Sequence, residues 1–146
     1  MVNAYIVPLE FWQDPQGDVI LIYGEWECSV YFPCWASAGV AADYIGHLSF
    51  KGTSAVRSFP REFCPYQRTE RGHRSYILRV EDSDLAREYI DYRKLHYPQS
   101  QIKEKNHYVV VGHDIYHEIL AMSFTAGTIL KSQITDARLL NLMAAQ

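Results

Sequence analysis

Lysine and arginine are absent from the first fifty of the 146 residues, where Glu10, Asp14, Asp18, Glu25, Glu27 and Asp43 give a net charge of −6. Met1-Val2-Asn3-Ala4-Tyr5 has no positive region ahead of its apolar residues, so a signal peptide is not expected. No apolar run approaches the ~20 residues needed to cross a bilayer, and no membrane partner is expected. The eight glycines form neither G-x-G-x-x-G nor a Walker A loop. Nothing argues for a nucleotide, and no cofactor is expected. Cysteine is scarce and odd in number, at three, so it cannot be fully paired within the chain. Cys28, Cys34 and Cys64 make no C-x-x-C pair, which removes the zinc-ribbon and thioredoxin-type signals. The expected setting is cytoplasmic.

Hydrophobic residues make up 48% of the chain, enough for one domain, residues 1–146, that buries roughly 68–70% of its unfolded surface. The missing basic residues reappear abruptly. Residues 51–80 carry Lys51, Arg57, Arg61, Arg68, Arg71, Arg74 and Arg79 against Glu62 and Glu70, a net +5. Such asymmetry marks either a binding surface or two parts of one fold that neutralise each other.

The first eighty residues read as strands. Asp18–Tyr23 is almost wholly apolar and suits a strand covered on both faces. Glu25–Phe32 alternates, which places Trp26, Cys28, Val30 and Phe32 inward. Ile45–Lys51 puts Leu48 and Phe50 inward and His47, Ser49 and Lys51 outward. Lys51-Gly52 is expected to turn a hairpin into Ser54–Phe59. Ser75–Val80 alternates through Tyr76, Leu78 and Val80. The period then changes. Asp82 or Ser83 can cap a helix over about 84–96, with a stripe of Leu85, Ala86, Tyr89, Tyr92 and the stem of Arg93. Arg87 and Asp91 are spaced to pair on its outer face, and Pro98 ends it. Two strands follow, Tyr108–Val111 and Ile115–Phe124, joined at Gly112-His113-Asp114. The tail from Thr135 is either a short amphipathic helix through Leu139, Leu140 and Met143 or frayed chain. The pattern predicts an α+β fold: a mostly antiparallel twisted sheet with one or two helices on a face.

His107, His113, Asp114, His117 and Glu118 are the residue types that hold divalent metals. H-E-x-x-H fails, however, because His117-Glu118-Ile119-Leu120-Ala121 ends in alanine. Neighbouring His117 and Glu118 must also face apart on a strand. A two-residue turn would put His107 on the face of Glu118, and a three-residue turn on that of His117. No metal site is expected. Cys34-Trp35-Ala36-Ser37-Ala38-Gly39 is a small-residue loop, but it has Trp35 where the nucleophile elbow needs glycine. A tight crossing is the better reading, and no catalytic residue is assigned.

Eleven tyrosines and three tryptophans exceed what such a core needs. Recognition surfaces favour these residues, although sheet faces do too. The leading expectation is a non-catalytic protein that works by protein–protein contact, as small inhibitory proteins and accessory subunits do. Its partner would be another protein, self-association included. The first alternative is a nucleic-acid or phospholigand binder through residues 57–74, with Arg61, Arg68, Arg71, Arg74 and Tyr66 as binding residues. An acidic chain speaks against nucleic acid, as does neutralisation of the arginine strands by Asp18, Glu25 and Glu27. A small metal-dependent enzyme using the late histidines is the second alternative.

Overall fold

The computed structural model describes residues 2–68 and 74–144. The architecture is α+β and its sheets are almost wholly antiparallel. The strands are β1 (Val2–Ile6), β2 (Trp12–Gln13), β3 (Ile20–Tyr23), β4 (Cys28–Ser37), β5 (Val40–Lys51), β6 (Ala55–Pro60), β7 (Tyr66–Arg68), β8 (Ile77–Val80), β9 (Asn106–Val111), β10 (Ile115–Ala121) and β11 (Ser123–Leu130). Helix α1 spans Asp84–His96, and a single turn, α2, spans Asn141–Ala144. No helix among the described residues is long and apolar enough to cross a membrane.

Two sheets form, where one was expected. The six-stranded sheet has the order β6-β10-β9-β8-β1-β7, with β1 and β7 parallel. The other runs β11-β5-β4-β2, and β3 also pairs with β4. Their inner faces share one core. Val30, Phe32 and Cys34 of β4 and Leu48 and Phe50 of β5 cluster with Ile77 of β8, Val110 of β9 and Ile119 of β10. Sheet therefore packs on sheet, and the helix covers little. No residue of α1 is fully buried.

The sheets are joined by a bent ribbon. β5 pairs with β11 as Lys51 opposite Ser123, and β6 pairs with β10 as Ala55 opposite Leu120. Between them the Met122 N–H donates to the Lys51 carbonyl and the Ser54 N–H to the Leu120 carbonyl. The register slips by one residue at this corner, as it does where strands switch sheets. Two expectations are thereby corrected. Lys51-Gly52 does not turn β5 back on itself but carries it into the other sheet, with Gly52 at φ 63°. Ile115–Phe124 is not one strand either, because it breaks at Met122 into β10 and β11.

Other differences are local. β4 starts at Cys28, so Trp26 is not an inward residue of it; Val30 and Phe32 are buried as expected. Cys34–Ser37 belongs to β4 rather than to a loop, and the chain turns at Ala38-Gly39, where Gly39 has φ 75°. β3 is a half-buried edge strand, not one covered on both faces. α1 has the expected bounds, and the Ser83 hydroxyl accepts from the Ala86 N–H at its start. Its half-buried stripe contains Ile90, while Tyr92 is exposed. Arg87 pairs with Asp84, not Asp91. In the tail, Leu139 and Leu142 are buried against Tyr31 and Ile45 on the outer face of the second sheet.

Candidate functional site

Two places carry the chemistry of this molecule: a buried charge network on the outer face of the six-stranded sheet, and the tip of the β3–β4 hairpin.

The network is built by register. The Gly112 N–H donates to the Ile115 carbonyl at 2.8 Å, which leaves His113-Asp114 as a two-residue turn. Cross-strand partners then have opposite parity, with Leu120 opposite His107 and Val109 opposite Glu118. His107 and Glu118 consequently share the outer face, and His117 faces the other way. Arg57 of β6 stands directly across from Glu118. The segment after β6 crosses this outer face to reach β7 at the far edge, bringing Cys64 and Tyr66 onto Leu78, Val109 and Val111.

Glu118 is 1% exposed, and a lone carboxylate there would cost several kcal/mol. Its oxygens are instead saturated. The Arg57 guanidinium donates twice, from Nε at 2.6 Å and from Nη2 at 3.2 Å. His107 Nε2 lies at 2.8 Å from Oε1, and the Tyr66 hydroxyl also donates to Oε1. Burial raises the Glu118 pKa, but the hydrogen bonds from His107, Arg57 and Tyr66 and the charge of Arg57 outweigh it and hold the carboxyl at about 2. Burial and the adjoining carboxylate push the Tyr66 phenol upward, and Glu118 raises Arg57. The far nitrogen of His107, Nδ1, lies 2.7 Å from the Ser83 Oγ that caps α1.

Ser83, His107 and Glu118 thus form a hydroxyl–imidazole–carboxylate chain, the residue types of nucleophilic catalysis. The geometry turns them to another use. Ser83 is a buried residue, and its hydroxyl already accepts from the Ala86 N–H at the helix start. The chain is a clamp that ties the start of α1 to the sheet. A second buried polar clamp joins the two sheets: Gln13 of β2 donates to the Val111 carbonyl and accepts from the Tyr76 N–H. The two clamps link residues 11 to 98 positions apart in the chain, and local patterning carries no signal for the Ser83 or Gln13 contacts.

Of the sequence-expected binding residues, Arg61 and Tyr66 line one small hollow with Cys64, Leu78 and Val111, and Arg74 stands apart from them. Tyr66 is engaged in the network. Arg61 is half-buried, donates weakly to the His113 carbonyl at 3.5 Å, and lines an open cleft with Glu62 and Asp114. Arg74 lies over the Trp12 ring at 4.9 Å. The backbone of Arg68 pairs with Ala4; its side chain and the whole of Arg71 lie outside the described residues. The neutralising partner of Arg57 is Glu118, where Asp18, Glu25 and Glu27 were expected. His117 points inward, with Nδ1 at 2.6 Å from the Ser58 hydroxyl and its pKa lowered by burial against the opposing effect of the Val19 backbone. His113 and Asp114 meet each other at 3.2 Å in solvent. Among the described residues no three His, Cys, Asp or Glu side chains converge as metal ligands would.

The hairpin tip is the residue environment that alternation misread. Tyr23 pairs with Cys28, and the Gly24 N–H donates to the Glu27 carbonyl at 2.8 Å. Glu25 and Trp26 are left as the two residues of a tight turn. Trp26 is 96% exposed, beside exposed Tyr23 and a hollow of 330 Å³ floored by Cys28, Phe50 and Thr53.

No protein-family description matches the chain, and neither a curated protein nor a solved structure matches it.

Proposed function

We propose that this chain is a protein-binding domain that engages its partner through the β3–β4 hairpin, with Trp26 as the anchor. The observation that carries this reading is a tryptophan at 96% exposure on a short, hydrogen-bonded turn. Tryptophan is the residue most enriched among binding hot spots. Covering its roughly 200 Å² of side chain is worth about 5 kcal/mol in transfer terms. The closed turn fixes the backbone that carries the indole, so less backbone freedom is lost on docking. Glu25 and Glu27 flank it, in a stretch of fifty residues without lysine or arginine. The matching surface is an apolar pocket rimmed by basic groups, and the acidic flanks speed encounter with it. The arginine-rich segment supports a phosphate or nucleic-acid ligand less well, because Arg57 and Tyr66 are spent on Glu118.

A photo-crosslinking residue placed at position 25 in the producing cell, beside an intact Trp26, tests this directly. One protein should be captured at that position, and tagged Trp26→Ala should lose it while wild type retains it. Equal recovery of the same proteins by wild type and Trp26→Ala would refute the reading.

A further inference from the structure

Each sheet in this fold ends in edge strands, and edges are normally blunted against unwanted pairing by charge, proline or shortness. The described edges follow that rule with one exception. β6 carries Arg57 and ends at Pro60, and β7 has three residues. The edge beside β4 is divided between two-residue β2 and four-residue β3 by a stretch containing Asp14, Pro15 and Asp18. β11 is different. It is eight residues long, Ser123-Phe124-Thr125-Ala126-Gly127-Thr128-Ile129-Leu130, with no charged side chain and no proline. Among the described residues it pairs only with β5, in unbroken register from end to end. Its other side presents a row of backbone donors and acceptors about 27 Å long.

Gly127 sharpens the point. Glycine inside a strand marks a bulge, a special backbone angle, a crowded contact, or the close approach of another backbone. The register shows no bulge here, and the backbone is not left-handed at this position. A Cβ built at 127 would meet nothing within 4 Å. Among the described residues no contact with a Cβ requires glycine there.

We infer that β11 pairs antiparallel with β11 of a second copy about a two-fold axis at Gly127, joining two five-stranded sheets into one of ten. An axis perpendicular to the sheet keeps like faces together, which requires the paired residue numbers to have an even sum. Centred on Gly127, it sets Ala126 opposite Thr128, Thr125 opposite Ile129, and Phe124 opposite Leu130 of the other copy. These are small, β-branched and apolar pairs that favour cross-strand contact. The absence of charge matters at such an axis, because the same strand faces itself and any charge on it would be brought near its own copy. A second copy is favoured over an unrelated peptide because a self-pairing strand needs both features at once, neutrality along its length and the smallest residue at its centre. The β3–β4 hairpin bearing Trp26 lies on the other side of β5 from β11, so this pairing does not rest on the binding reading above.

The test is sedimentation of the full chain over a wide concentration range, with hydrogen exchange read at low and high concentration. A reversible dimer is expected, with β11 amides gaining protection as it forms while those of β6 do not. Gly127→Lys should weaken the dimer at least ten-fold, because two ammonium groups would face each other across the axis. It should leave the far-UV circular dichroism and the melting temperature of the monomer unchanged, since position 127 is open. A chain that remains monomeric throughout would overturn the inference. So would a dimer indifferent to Gly127→Lys, or β11 protection that does not depend on concentration.

Discussion

Replacing Glu118 by glutamine changes one charge and almost no volume, and the structure says what that charge is worth. The carboxylate is buried and takes hydrogen bonds from Arg57, His107 and Tyr66. Its pKa falls from the ordinary 4.5 to about 2. At 1.36 kcal/mol per pH unit, that difference corresponds to roughly 3 kcal/mol of folding stability at neutral pH. A separate route gives a similar figure. Removing one partner of a buried pair costs ~3–5 kcal/mol, and the lower end applies because the Arg57 side chain is 42% exposed and regains water. Glutamine also turns an amide N–H₂ toward the Arg57 donors, which cannot pair with it. The sign of the pH dependence follows from the lowered folded-state value. The contribution is fully present above about pH 4.5 and is lost as pH falls toward about 2. Arg57 and Tyr66, both pushed upward, keep their charge states across that window. Urea unfolding of wild type and Glu118→Gln, followed by fluorescence from about pH 7 to about pH 2.5, should show a gap of roughly 3 kcal/mol that closes in acid. A gap below ~1 kcal/mol at neutral pH, or one that stays constant with pH, would refute the account of the network.

Trp26→Ala should change stability by no more than ~0.5 kcal/mol because the ring is already in water. Phe32→Ala in the same hairpin should cost ~3–5 kcal/mol, and chemical denaturation of the two variants compares them directly. Ser83→Ala removes both a helix cap and the His107 partner, so a loss of about 1–2 kcal/mol is expected. Hydrogen exchange in that variant should rise first in the opening turn of α1. Burial pushes the Cys34 thiol up to about 12, whereas Cys64 is only half-buried. Iodoacetamide on native protein should therefore modify Cys64 well before Cys34, and equal labelling rates by mass spectrometry would contradict the packing of β4.

Local chemistry made much of this fold legible. The Ser83 cap and the Pro98 stop bracket α1 at Asp84–His96, because both act on the backbone within a few residues. Alternation placed Leu48 and Phe50, and Leu78 and Val80, correctly, since a strand's two-residue period belongs to the chain itself. The same period misplaced Trp26. It assigns a face, but whether that face is covered depends on where pairing begins, and the Gly24–Glu27 bond starts β4 at Cys28. It also ran Ile115–Phe124 together, because extended chain keeps alternating up to a bend, and only the crossing with Lys51–Ser54 decides that Phe124 enters the second sheet. The charge network was half legible. Parity allowed His107 either Glu118 or His117 as its neighbour, and the two-residue turn chose Glu118. Arg57 lies 61 positions from Glu118 and Tyr66 lies 52, and nothing in their own neighbourhoods marks them as its partners. Composition and short-range pattern thus determined helix α1 and the strands around Val30, Leu48, Leu78 and Val110, but not the strand at Cys34–Ser37, the corner at Lys51-Gly52 or the break at Met122. The tertiary structure alone decided which strands share a sheet, which charges meet, and which aromatic remains in water, because each of these depends on contacts between segments far apart in the chain.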